Sequence, residues 1–105
     1  MTASSEAAQI VRKIVSSYKP LKVFLFGSVA RGKQRPDSDI DLLIIKDTPL
    51  NKPHRIKEVF QAVRGIARTY PLDPIVYTPQ EIQARIDLGD QFITSIFSEG
   101  KLMHG

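Results

Sequence analysis

The stretch Asp39-Ile40-Asp41-Leu42-Leu43-Ile44-Ile45 constrains the fold more than any other part of the chain. Side chains alternate across an extended strand, so Ile40, Leu42 and Ile44 face one way while Leu43 and Ile45 face the other. Apart from its two aspartates, a strand over 39–46 is therefore apolar on both sides. Such a strand belongs in the middle of a sheet, with helices packed on at least one face. The same alternation puts Asp39 and Asp41 on one face, their Cα atoms roughly 6 to 7 Å apart. Like charges at that separation repel, and they are costly at the mouth of an apolar strand unless a cation neutralises them. Hard oxygen ligands of this kind suit Mg²⁺. The competing reading, a pair of exposed strand-end aspartates beside an ordinary turn, stays open at this level.

A second apolar run, Val23-Phe24-Leu25-Phe26, ends in Gly27-Ser28, and ten residues separate Ser28 from Asp39. A strand that ends in Gly-Ser lets the backbone turn sharply where there is no Cβ, and it aims the next amides outward toward an anion. Phosphate is the obvious guest. Ser28 can offer its hydroxyl and amide to such a group, and Arg31, one helical turn along, can bring a guanidinium fork to it. Gly32 lets the chain leave the short helix. Lys33 and Arg35 either extend the positive field over the phosphate site or are simply solvated.

The rest of the chain falls into alternating elements. Ala7, Ile10, Val11, Ile14, Val15 and Tyr18 share one helical face, which predicts a helix over 5–18 capped by Ser4 or Ser5, with Pro20 beyond its end. The strand over 22–26, a short helix over 28–33 and a turn through Pro36-Asp37-Ser38 lead into the central strand. Thr48 to His54, with two prolines, reads as a loop. Ile56, Val59, Phe60, Val63, Ala67 and Tyr70 trace a long amphipathic helix closed by Pro71. Its basic start, His54, Arg55 and Lys57, is a misfit to the helix dipole, marking either a contact with acid on a partner or nothing. Leu72 to Tyr77 is a third strand, and Thr78-Pro79-Gln80-Glu81 is a capping box that opens a helix over 79–88. A last helix over 90–99 buries Phe92, Ile93, Ile96 and Phe97 and ends at Gly100. Lys101 to Met103 adds a short edge strand. Phe60, Tyr70, Phe92 and Phe97 read most simply as core, and His54 and His104 share no ligand spacing.

The segment GSVARGKQRPDSDIDLLI, through Gly27, Ser28, Arg31, Gly32, Asp39 and Asp41, resembles the DNA polymerase beta-like nucleotidyltransferase superfamily. It is most similar to the small stand-alone members, the minimal nucleotidyltransferases, and the order of helices and strands extends the likeness to nearly the whole chain. The resemblance implies a palm-like α/β (α+β) fold, a small mixed sheet of three to four strands packed with helices. It also implies transfer of a nucleoside monophosphate from a triphosphate, with ATP as the substrate, to a hydroxyl, and two Mg²⁺ ions held by carboxylates. A third carboxylate is then expected on the strand beside the paired aspartates, where it ligates the second ion or helps deprotonate the acceptor. Asp73 in LDPIVY occupies that position. Pro74 departs from the pattern, because it cannot donate a ladder hydrogen bond; it argues for an edge strand or for Asp73 at the first rung. If Asp73 is instead a turn residue before a proline, the protein binds nucleotide and transfers it poorly.

Composition narrows the classes further. A chain of 105 residues is expected to form one domain, 1–105, too small to carry a separate acceptor-recognition domain. With no cysteine, neither a disulfide frame nor a thiolate metal site is possible. No apolar run approaches the roughly 20 residues of a membrane span, and Met1 to Glu6 lacks the features of a signal peptide, so a cytoplasmic address is expected. The net charge of +4 suits an enzyme of polyanionic nucleotides but not a dedicated nucleic-acid binder.

Three functions remain open on these grounds. The minimal nucleotidyltransferases are commonly antitoxins that work beside an all-helical HEPN-type ribonuclease toxin and adenylylate its tyrosine, which implies AMP transfer to a partner protein. A second reading is a binding module that masks its partner by contact alone. A third is transfer to a small molecule or an RNA end, although enzymes of those kinds usually carry an added acceptor domain. Self-association of so small a palm is a further expectation.

Overall fold

The computed structural model describes residues 2–32 and 38–105. Its elements run α1 (Ala3–Tyr18), β1 (Lys22–Phe26), α2 (Gly27–Ala30), β2 (Ile40–Ile45), α3 (Lys52–Ala62), β3 (Leu72–Tyr77), α4 (Pro79–Asp87), α5 (Gln91–Glu99) and β4 (Lys101–His104). The four strands form one mixed sheet in the order β3-β2-β1-β4, with β1 antiparallel to both neighbours and β2 parallel to β3. This is the mixed α+β architecture expected from the sequence, with β2 inside the sheet and the short β4 at one edge.

Both faces of β2 are covered. Ile40, Leu42 and Ile44 pack with α1 and α3 around Ile10, Ile14 and Val59, while Leu43 and Ile45 pack with α4 and α5 around Ile82, Ile93 and Ile96. The alternation read from the sequence is thus real, and the second helical layer comes from the C-terminal helix pair. Among the described residues, no helix is long and apolar enough to cross a membrane.

Several boundaries differ from the sequence reading. α1 begins earlier, because Thr2 rather than Ser4 or Ser5 is its cap: the Thr2 hydroxyl accepts the Ser5 N–H at 3.1 Å, and Ser5 returns a bond to the Thr2 backbone. α2 is shorter than 28–33 and starts at Gly27. α3 starts inside the expected loop, at Lys52, with Asn51 as cap and Pro53 in the first turn, where its missing N–H costs nothing. It ends at Ala62 rather than near Tyr70. Gly65 takes a left-handed φ of 92°, and the N–H groups of Thr69 and Tyr70 are committed elsewhere, to the two oxygens of the buried Glu6 carboxylate at 2.7 and 2.8 Å.

The basic start of α3 also resolves. Arg55 is buried, and its guanidinium donates to the Leu50 and Val76 carbonyls and to both oxygens of Glu81, the closest at 2.7 Å. The acid that Arg55 meets lies in the same chain. Glu81 also completes the Thr78 capping box, as the sequence predicted. The aromatic stripe needs correcting. Tyr70 and Phe97 pack against the two core clusters, but Phe92 is 51% exposed at the N-terminus of α5, and Phe60 is 36% exposed where α3 passes the open edge of the sheet.

Pro74 sits where the topology tolerates it. The Pro71 and Tyr77 carbonyls accept from the Ile40 and Lys46 N–H groups, so odd-numbered residues of β3 direct their backbone toward β2 and Pro74 directs its own outward. At the edge of the sheet the N–H that proline lacks is not needed.

Candidate active site

Three carboxylates converge at one end of the sheet. Asp39 immediately precedes β2 and Asp41 is its second residue. Parallel pairing sets Asp41 level with Asp73 on β3. Residues in register on neighbouring strands point to the same face, and each of the three offers a carboxylate oxygen within 4.8 Å of the others'. Asp73 is therefore a strand residue beside the pair and not part of a turn. Asp39 and Asp73 are exposed, while Asp41 is half-buried between them.

On the other side of β2, antiparallel pairing sets Asp41 opposite Phe26, the last residue of β1. Gly27 follows at once with φ of 77°, a conformation that side chains rarely accept. A Cβ on Gly27 would stand 2.2 Å from Oδ2 of Asp41. The glycine therefore lets the chain turn and also makes room for the central carboxylate. The sequence suggests only the first role.

The electrostatics follow from this crowding. Burial raises the pKa of Asp41 most, the charges of Asp73 and Asp39 add to it, and a hydrogen bond with Asp73 contributes further. Arg31 pulls the other way, and the balance is a carboxyl raised from 3.8 to about 6. Three carboxylates with this mutual repulsion form an all-oxygen donor set that a hard divalent cation would relieve.

Beside Gly27, the Ser28 hydroxyl lies 3.4 Å from that of Ser38, a buried residue at the approach to Asp39. The sequence assigned Ser38 only to a turn, and nothing in its local pattern marks it as a neighbour of Ser28. Arg31 stands exposed after α2, and with Gly27 it lines a hollow of about 310 Å³ closed on its far side by α5 through Phe92 and Ile96. Phe92 meets Phe26 edge-on, with centroids 5.6 Å apart. Gly32, with φ of 71°, lets the chain leave the turn after α2, as expected. Lys33 and Arg35, together with Pro36 and Asp37 of the expected turn, lie outside the described residues. His54 and His104 take no part in the carboxylate cluster.

The model of the nucleotidyltransferase domain family matches residues 5–102. The crystal structure of a candidate nucleotidyltransferase from Sulfolobus solfataricus superimposes with a TM-score of 0.56 at 32% identity, over 76% of this chain and 70% of that one. No curated protein matches the chain.

Proposed function

This chain belongs to the nucleotidyltransferase domain family, and we propose that it transfers AMP from ATP to a hydroxyl of a partner protein, with Asp39, Asp41 and Asp73 as catalytic and metal-binding residues. The observation that carries this reading is the convergence of the three carboxylates beside Gly27 and Ser28. Mg²⁺ held by the three aspartates would neutralise the phosphate oxygens and the charge that develops as pyrophosphate leaves. Gly27 gives the backbone close approach to the phosphates, and Ser28 and Arg31 bind the leaving pyrophosphate through a hydroxyl, an amide and a guanidinium. Asp73 orients the acceptor hydroxyl and takes up its proton as the oxygen forms its bond to the α-phosphorus. The bond from that phosphorus to the bridging oxygen breaks in line, and pyrophosphate departs.

The proposed acceptor rests on the resemblance of the GSVARGKQRPDSDIDLLI segment to the minimal nucleotidyltransferases. The proposed partner is a HEPN-type ribonuclease toxin, and adenylylation neutralises it. Intact mass spectrometry of the product of the neighbouring gene, after incubation with this protein, Mg²⁺ and ATP, tests the reading. A mass gain of one or more AMP units that disappears with Asp39→Asn is the expected result. Transfer retained by Asp39→Asn would sink the mechanism. A complex that survives purification without modification would favour masking by contact.

A further inference from the structure

In-line displacement dictates the side from which the acceptor comes. The attacking oxygen and the leaving pyrophosphate stand on opposite sides of the α-phosphorus. In the strand order β3-β2-β1, the Gly27-Ser28 turn lies beyond β1 and Asp73 lies on β3, so the two flank the carboxylates of β2. With pyrophosphate over Gly27 and Ser28, the acceptor must arrive over β3. That flank is the open edge of the sheet, and a groove of about 420 Å³ follows it. Ile56 and Phe60 of α3 form one wall and Pro74 part of the other, with Asp73 at the catalytic end and Tyr77 and Lys52 at the other.

We propose that this groove receives an extended polypeptide segment of the acceptor, placing a hydroxyl at Asp73 and acidic side chains against Lys52 and Arg68. The inference rests on the nucleotidyl-transfer reading above and names the chemistry of its acceptor. Three features select such an occupant. Six strand residues at about 3.3 Å each give the groove a length that suits about five extended residues and exceeds what a free sugar or amino acid fills. Its walls are apolar and present the half-exposed ring of Phe60, which fits side chains better than a phosphodiester backbone. Its charge away from Asp73 is sparse and positive: the Lys52 ammonium of the lining rests 4.5 Å from the Tyr77 ring centre, Arg85, paired with Asp90, stands 5.1 Å from the same ring, and the Arg68 guanidinium stands beside the lining, 5.3 Å from the ring centre of Phe60. Cations this few, one of them already paired, attract a few carboxylates, whereas a nucleic acid strand calls for one cation per neutralised phosphate.

The edge itself sets how the segment is held. Pro74 offers no outward N–H, and the Val76 carbonyl is already taken by Arg55. A continuous β ladder is therefore blocked, and side chains rather than backbone pairing fix the register.

Fluorescence anisotropy with labelled heptapeptides tests the groove. Each carries a central tyrosine, flanked in one peptide by leucine and glutamate and in the other by leucine and lysine; an oligouridylate serves as competitor. The acidic peptide is expected to bind about ten-fold more tightly than the basic one. Phe60→Asp should lose that binding, and the double variant Lys52→Glu, Arg68→Glu should reverse the preference, a gain that misfolding cannot produce. Equal binding of the two peptides, a preference that survives the double variant, or displacement of the acidic peptide by oligouridylate at lower concentration would each overturn the proposal. Binding of Mg²⁺–ATP, measured separately on the unmodified protein, keeps the two readings apart. Its failure removes the transferase reading, while the peptides still decide the groove.

Discussion

Asp41 is held in a place where its charge is unwelcome, and that has measurable consequences without any acceptor. In an unfolded chain an aspartate titrates near its usual 3.8, whereas Asp41 in the fold titrates at about 6. Below the lower value both states are protonated and stability is unaffected. As pH rises from 4 to 6 the unfolded state ionises first, and the fold loses stability until the penalty is complete above 6. Asp41→Asn removes the penalty, so the metal-free variant should be more stable at pH 8 by roughly 1 kcal/mol, after discounting for the water that reaches the carboxylate. At pH 4 the advantage should vanish, and urea denaturation at both values reads the difference. Because a cation competes with that proton, Mg²⁺ affinity should fall as pH drops below 6, with proton release on binding, measurable by calorimetry in two buffers. Gly27→Ala meets both a positive φ and the Asp41 oxygen, and is expected to cost about 1–3 kcal/mol and to abolish transfer. Thermal denaturation alongside the mass assay checks it.

At the scale of elements, buried ionic and polar ties hold the helices to the edge of the sheet. Arg55 joins α3 to β3 and α4 through Val76 and Glu81, and Glu6 joins α1 to the chain that leads into β3. Both steady the strand that carries Asp73. Arg55→Ala takes the cationic partner from Glu81, whose carboxylate keeps only the Thr78 N–H, and removes the guanidinium that donates to the Leu50 and Val76 carbonyls; it should cost about 2–4 kcal/mol in urea denaturation. Glu6→Gln offers one acceptor oxygen to two N–H donors and should cost about 1–3 kcal/mol. Neither tie was legible in the sequence. The charges at 54–57 stood out as a misfit to the helix dipole, but the partner lies 26 positions away and no local spacing points to it. The end of α3 was misread for the same reason: the apolar period runs on past Val63, while Gly65 and the distant Glu6 stop the helix. The Thr78 box, whose partners are three residues apart, was fully legible.

For the whole molecule, the sheet order ranks local stability and sets the direction of the chemistry. β1 and β2 are paired on both sides and covered by helices on both faces, while β3 and β4 are edges. Hydrogen exchange should therefore be slowest at Leu43, a buried residue whose amide is directed to the central β1, and much faster at Val76, which directs its backbone outward. Equal protection across the four strands would contradict this ranking. The same order puts the phosphate turn and Asp73 on opposite flanks of β2, which leaves the β3 edge open to an acceptor. The sequence by itself determined the central strand, the paired aspartates, the glycine turn and the Thr78 cap, since periodicity, residue type and short spacing encode each of them. Only the tertiary structure decided that Asp73 lies level with Asp41, that Gly27 yields space to a carboxylate, that Ser38 meets Ser28, and that Phe60 and Phe92 face outward. Those depend on which strands become neighbours, and strand pairing is settled by burying both faces of β2 at once rather than by any short stretch of chain.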